Sequence, residues 1–228
     1  MLFGMAENRE ELPLFLLSSV LFPHASVRLH VFEDRYRQMV RDCLDEDRPF
    51  GIVLIREGSE VGGPAEPYLV GTVVRIKQVF DFDDGTMDLH VQGERRFRIR
   101  QIDEESKPYL IGSAEPVEDF PYDQNAENEA LVARTRDAFQ TWFAVVLARQ
   151  EFAVTVQFPP EWTALSFAIA NFLPVDDLEK QRLLEITDTM ERFEVIAQVL
   201  EDQIVLGTVQ PRFARVHSSE LADWVSSN

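Results

Sequence analysis

The pattern of apolar and polar residues changes its period early in the chain. From Val27 to Phe32, apolar residues alternate with Arg28, His30 and Phe32, which is the period of a half-buried strand. From Glu33 the apolar residues recur at the spacing of one helix face, at Tyr36, Met39, Val40 and Cys43. The pattern therefore predicts a strand followed directly by an amphipathic helix whose apolar face is buried.

Further short runs in the first half predict more strands. Pro13, near the start of the first run, indicates an edge position because proline cannot donate to a strand ladder. The Asp83-Asp84-Gly85 segment predicts a hairpin turn, and Gly93-Glu94 predicts another turn. The remaining predicted strands are Leu12–Leu17, Phe50–Ile55, Leu69–Phe80, Met87–Val91, Phe97–Ile99 and Tyr109–Ser113. Short strands at this spacing indicate a small closed or nearly closed β-barrel over residues 1–118.

Near Glu118–Asp123 the period becomes helical, so we predict a boundary there and a helical bundle over 119–210. Pro159-Pro160 precede a predicted helix, Trp162–Leu173, which Pro174 ends. The apolar side of a long helix before it is predicted at Leu131, Thr135, Ala138, Trp142 and Val145, widened by Phe139, Phe143 and Val146.

Two more helix starts are predicted where an acidic residue precedes a glutamate by three positions. Asp176 with Glu179 and Asp188 with Glu191 have this cap spacing. Gly207 suits the position after the last helix. Residues 211–228 form a polar tail. The fold class predicted for the whole chain is α+β.

Composition limits the partners and the compartment. The net charge is −18, and both halves are acidic, which disfavours nucleic acid and anionic membrane surfaces. No run approaches the roughly 20 apolar residues of a membrane span, and no signal peptide is visible. With Cys43 as the one cysteine, we expect a cytoplasmic protein without an internal disulfide.

Several short motifs, in order, resemble the N-terminal, substrate-binding domain of Lon proteases, and particularly its stand-alone bacterial relatives. They span roughly Leu12 to Gly207 and include L-F-P with L-H-V-F-E-D-R-Y-R-Q-M-V, F-G-I-V-L-I, A-E-P-Y-L-V-G-T-V-V-R-I, G-E-R-R-F-R-I, and L-S-F-A-I-A-N-F-L-P. The resemblance implies a PUA-like barrel with one inserted helix. It also implies binding of extended or partly unfolded polypeptide.

No catalytic constellation is found in the sequence. The chain has no P-loop and no G-x-S-x-G motif, and the ATPase and Ser-Lys peptidase modules of full-length Lon are absent from the 228 residues. The four histidines lack metal-ligand spacing, and Cys43 is expected to be an inert core residue. We therefore predict no catalytic residue, no metal site and no cofactor.

Arginine is concentrated at one strand. Arg95, Arg96, Arg98 and Arg100 could form an RNA-binding patch, or a solvated face paired with carboxylates such as Asp88 and Glu94. The acidic charge of this half favours the solvated face.

Aromatic residues at predicted turns and strand ends are the candidate binding residues. They are Phe22, Phe80, Phe82, Phe120 and Tyr122. Exposed aromatic clusters mark sites for apolar partners, although loops folded back onto the core would explain the same pattern equally well. The sequence thus predicts a non-enzymatic binder of unfolded or extended polypeptide, an adaptor or holdase that works alone or with a protease or chaperone. Two alternatives remain, an RNA-binding PUA-like module and a hydrolase with an unrecognised site. The sequence leaves the oligomeric state open.

Overall fold

The computed structural model describes residues 9–63, 65–147, 155–156, 158–205 and 225–226. Its described elements are a mostly antiparallel sheet, five helices and one two-stranded pair. They are β1 (Glu10–Leu17), β2 (Ser26–Val31), α1 (Asp34–Asp45), β3 (Phe50–Gly58), β4 (Ala65–Pro67), β5 (Val70–Asp81), β6 (Met87–Asp103), β7 (Ile111–Pro116), α2 (Ala126–Leu147), β8 (Thr155–Val156), α3 (Trp162–Phe172), α4 (Asp177–Glu185), α5 (Thr189–Val205) and β9 (Val225–Ser226). The chain divides into two compact units, Met1–Glu118 and Asp119–Asn228.

In the first unit, the strand pairings return to their starting point. They lead from β1 through β7, β6, β5 and β3 back to β1, with β2 added beside β6 and β4 beside β3. Within the described residues, Pro13 lies where β1 pairs on one side only, which agrees with the edge position predicted for it. β1 pairs with β7 over Glu10–Pro13 and with β3 over Leu14–Leu17, so its first half uses one side and its second half the other.

The apolar residues of β1 and β3 divide between two core clusters because successive side chains point to opposite faces of a strand. Phe15, Phe50 and Ile52 pack with the buried face of α1, whereas Leu14 and Val53 pack with Phe97. As predicted, Tyr36, Met39, Val40 and Cys43 are the buried residues of α1. These strands are apolar without interruption because both of their faces are covered.

The turn predicted at Gly93-Glu94 is wrong, because β6 runs unbroken from Met87 to Asp103. Gly93 serves a close approach instead. Its N–H donates to the Ala25 carbonyl at 2.8 Å, and a Cβ there would lie 2.5 Å from the Phe22 carbonyl oxygen. The segment before β2 therefore packs directly against the backbone of β6. The hairpin predicted at Asp83-Asp84-Gly85 joins β5 to β6.

In the second unit, α5 contacts α2 and α3, and α3 contacts α4. Both predicted caps are present, because the Asp176 carboxylate accepts from the Glu179 N–H and Asp188 accepts from the Glu191 N–H. The face predicted for α2 is partly wrong. Val145 is exposed, and the buried residues are Val132, Thr135, Phe139, Trp142, Phe143 and Val146. Gly207 and the tail, apart from β9, lie outside the described residues; β9 pairs antiparallel with β8.

Candidate functional site

Three large phenylalanines are exposed on one face of the β2–β6–β5 part of the sheet. Phe32, Phe80 and Phe82 are 47%, 55% and 47% exposed, and we call them the three-phenylalanine surface. His30 lies opposite Asp88, and Asp88 lies opposite Phe80, so these three share a face. Phe32 follows His30 by two positions, and Phe82 follows Phe80 by two, which continues the same side.

His30 lies between the aromatic rings of this surface. Its ring centroid is 6.0 Å from that of Phe32 and 6.4 Å from that of Phe82. Its Nδ1 atom is 2.7 Å from the Asp88 carboxylate oxygen Oδ1. Two apolar rings therefore flank a hydrogen-bonded polar pair on this surface.

The hairpin turn fixes the position of Phe82. The Phe82 N–H donates to the Thr86 carbonyl at 3.0 Å, and the Gly85 N–H donates to the Phe82 carbonyl at 2.9 Å. Arg37 of α1 donates to the Gly85 carbonyl at 2.9 Å. Gly85 has φ +81°, a left-handed conformation that favours glycine.

Carboxylates border the surface at the hairpin. Asp83 and Asp84 are exposed there. Hydrogen bonds from the Thr86 hydroxyl and backbone N–H hold the pKa of the Asp84 carboxyl below its ordinary value. The border of the three-phenylalanine surface is therefore negatively charged at neutral pH, and it complements basic groups on a ligand.

Among the predicted binding residues, Phe80 and Phe82 lie on this surface, whereas Phe22 does not. Phe22 is fully buried, so its predicted exposure is wrong. Its segment packs onto the sheet, where the Thr72 hydroxyl donates to the Leu21 carbonyl at 2.6 Å and Gly93 leaves room for the Phe22 carbonyl. The position of Phe22 directly before Pro23 in a predicted turn does not show whether that turn is buried or exposed.

The other two predicted residues belong to the second unit. Phe120 is 63% exposed. Tyr122 is half-buried, with its ring stacked on Trp162 at 5.3 Å and its hydroxyl donating to Glu161 at 2.7 Å. Glu161 caps α3 by accepting from the N–H groups of Thr163 and Ala164. Tyr122 therefore supports a helix cap, and its ring is engaged within its own unit.

Phe32 was missed as a site residue, although the sequence contains a signal for it. It continues the polar register of Arg28 and His30 in the strand pattern. A large aromatic residue in a polar register has no core position available to it. Such a residue marks an exposed surface more directly than an aromatic residue at a turn does.

Two of the four arginines concentrated on β6 form ion pairs, and the carboxylates in these pairs are not the two named in the prediction. Arg95 pairs with Glu10 at 2.6 Å, and Arg100 pairs with Glu115. The carboxylates predicted to pair with these arginines have other partners, since Asp88 faces His30 and Glu94 faces Arg75. Arg96 is buried, which corrects its predicted place on the solvated face. This distribution gives little basis for a phosphate-binding patch.

The described residues offer no evident catalytic centre. Burial raises the pKa of the Cys43 thiol to about 11, which suppresses the thiolate that a nucleophile requires. Within the same residues, no cluster of three His, Cys, Asp or Glu side chains could hold a metal ion. No helix among them is long and apolar enough to cross a membrane.

Comparison with known proteins identifies the family. The family model described as the ATP-dependent protease La (LON) substrate-binding domain matches residues 11–202. The chain belongs to the Lon substrate-binding domain family. The Lon domain fold is also present in a crystal structure of a Lon N-terminal domain protein from Xanthomonas campestris, which is 28% identical with a TM-score of 0.61 and covers 83% of this chain and 98% of that one.

Two further relatives show how much of a Lon protease this chain represents. Lon protease 2 of Myxococcus xanthus is 30% identical over 203 residues, which cover 85% of this chain but 24% of that protease. The N-terminal domain of a Mycobacterium avium complex Lon protease has the same fold at 18% identity, with a TM-score of 0.63 and coverage of 85% and 99%. The chain thus spans about a quarter of the length of the Lon proteases that it matches.

Proposed function

We propose that this Lon-family domain binds extended or unfolded polypeptide segments at the three-phenylalanine surface without cleaving them. The observation that carries the proposal is the exposure of Phe32, Phe80 and Phe82 on one sheet face around His30. Exposed aromatic side chains lower their free energy by burial against apolar groups of a ligand. The family description supports the choice of ligand, since a protease's substrates are polypeptides.

The ligand segment carries apolar and basic residues together. The surface is bordered by Asp83 and Asp84, and the net charge is −18. Lysine or arginine beside aromatic or aliphatic residues complements both features. Apolar burial supplies most of the affinity, so added salt weakens binding only modestly.

In the cell, such binding suits an adaptor or holdase that acts in the cytoplasm, alone or beside a protease or chaperone. We further infer that the sheet is the PUA-like barrel implied by the family resemblance and that the second unit is a separately folding helical bundle. The return of the strand pairings to β1 supports the barrel, and the two compact units support the division.

Fluorescence anisotropy with a labelled, permanently unfolded and basic polypeptide, such as reduced and carboxamidomethylated lysozyme, tests the proposal. We expect micromolar or weaker binding and no cleavage on a gel. Phe80→Ala and Phe82→Ala are each expected to weaken binding about fivefold or more, the effect of losing an aromatic anchor worth ~1 kcal/mol. Phe32→Ala is expected to do the same.

Leu69→Ala is the matched control. Leu69 is 50% exposed in the same unit, and it precedes β5 at the end opposite to Phe80, roughly 35 Å away along the strand at the rise of an extended chain. Phe120→Ala tests the predicted residue of the second unit independently. The proposal fails if Leu69→Ala weakens binding as much as the phenylalanine variants do. It also fails if the protein binds RNA tightly with a steep salt dependence that Arg98→Ala abolishes.

A further inference from the structure

β2 has an open edge beside the three-phenylalanine surface. Among the described residues β2 pairs only with β6. The Gly93 N–H donates to the Ala25 carbonyl, and Ala25 stands opposite Gly93 if the register of β2 with β6 is extended by one residue. Hydrogen-bonded pairs alternate along an antiparallel ladder. The backbone groups of Val27, Leu29 and Val31 therefore face β6.

The intervening residues direct their backbone groups away from the sheet. Arg28 and His30 stand in the non-hydrogen-bonded pairs with His90 and Asp88. Neither residue's N–H or C=O bonds to another described residue. The edge therefore presents two donors and two acceptors in the spacing that one added strand would need.

Within the described residues this edge has neither a proline nor a bulge. Both devices block exposed edges in other proteins, but Ser26–Val31 contains no proline and its register with β6 is regular. The turn with His24 at φ +67° lies before the strand and leaves its edge straight. His30 and Phe32 are exposed on the face next to the edge, so an added strand would also contact the three-phenylalanine surface.

We propose that the polypeptide ligand binds as an added β-strand along β2. This inference rests on the proposed function and specifies how the ligand is held. Backbone hydrogen bonds to Arg28 and His30 supply affinity that is independent of ligand sequence, and alternate ligand side chains pack against His30 and the phenylalanine rings. The ligand is therefore an extended segment with alternating apolar residues, basic residues toward the hairpin, and no proline opposite Arg28 or His30.

A pair of N-methylated peptides tests this directly. The parent is a fluorescein-labelled ten-residue peptide in which phenylalanine and threonine alternate between terminal lysines. One derivative carries N-methyl groups on alternate residues and the other carries the same number on the remaining residues. Only one of these sets faces β2 in an added strand, so we expect one derivative to lose at least tenfold in affinity while the other stays within about threefold of the parent.

Substitution of the protein supplies the complementary test. Arg28→Pro removes an outward N–H without removing a ladder bond to β6, and proline is tolerated on edge strands. Arg28→Ala removes the side chain and keeps the N–H. We expect Arg28→Pro to bind the parent peptide at least tenfold more weakly than Arg28→Ala, with unchanged far-UV circular dichroism.

The outcomes separate this inference from the proposed function. If the phenylalanine variants weaken binding but both methylated peptides bind equally, the surface binds polypeptide through side chains alone and strand addition is wrong. If the parent peptide does not bind, or binds without any dependence on Phe80 and Phe82, the proposed function fails and this inference fails with it. The methylated peptides decide the question even if Arg28→Pro does not fold.

Discussion

Removing the carboxylate of Asp119 should destabilise the second unit strongly, because it leaves a buried charge without its counterion. Arg192 is fully buried, whereas Asp119 is 14% exposed. The Arg192 guanidinium donates to Asp119 Oδ1 at 2.6 Å, to Ser166 Oγ at 2.8 Å and to the Ile186 carbonyl at 2.6 Å. Its carbon also lies 4.0 Å from the centre of the Phe167 ring. In Asp119→Ala every remaining hydrogen-bond partner of the Arg192 guanidinium is neutral.

The expected loss in the free energy of unfolding is ~3–5 kcal/mol, the range for a buried ion pair broken from one side. Burial already lowers the pKa of Arg192, and the Asp119 charge is the main opposing influence. Removing the arginine as well should remove the cost of burying its unpaired charge. The double variant Asp119→Ala with Arg192→Met is therefore expected to be more stable than Asp119→Ala alone, since methionine fills part of the site without a charge.

Urea unfolding followed by tryptophan fluorescence measures the free energy of unfolding of the second unit. All three tryptophans lie at residues 142, 162 and 224, within the second unit. Asp123→Ala is a control for a nearby exposed carboxylate and should change the free energy of unfolding by less than about 0.5 kcal/mol. A loss below about 1 kcal/mol in Asp119→Ala, or a double variant less stable than the single one, would refute the reasoning.

Two predictions concern the first unit. Met39→Ala should lower its free energy of unfolding by ~2–5 kcal/mol, because Met39 is fully buried and its loss leaves a cavity; a loss below about 0.5 kcal/mol in urea unfolding followed by circular dichroism would contradict this. The Tyr109 hydroxyl and then Lys107 lower the pKa of Asp42, so this carboxylate stabilises the fold above about pH 4 and loses that contribution as pH falls through its folded pKa. Asp42→Asn should therefore lower the free energy of unfolding by about 1 kcal/mol at pH 7 and leave it unchanged near pH 2. An equal loss at both pH values would show that the effect does not depend on ionisation of Asp42.

The elements that the sequence predicted best are those fixed by local chemistry. The buried face of α1, the caps of α4 and α5, and the β5–β6 hairpin each depend on residues within a few positions of one another. The failures involve distant partners. Gly93 resembles a turn residue in the sequence, and only the approach of the Phe22 carbonyl shows why glycine is present within a strand. The change of partner along β1, from β7 at Pro13 to β3 at Leu14, is likewise not a local property.

The sequence indicates the candidate site where aromatic residues interrupt the alternation of apolar and polar residues along a strand. Phe32 and Phe80 occupy exposed positions in strand registers that a fold alone would fill with polar residues. The opposite departure, arginine in a buried position, occurs at Arg96 and Arg192. At Arg192 the partners account for it, because Asp119, Ser166 and the Ile186 carbonyl bind the guanidinium. Among the described residues of the first unit no hydrogen bond or ring contact accounts for Phe80, whose side chain is 55% exposed. An aromatic side chain kept in water is tolerated at a functional surface, which supports the proposed ligand-binding surface on β2, β5 and β6.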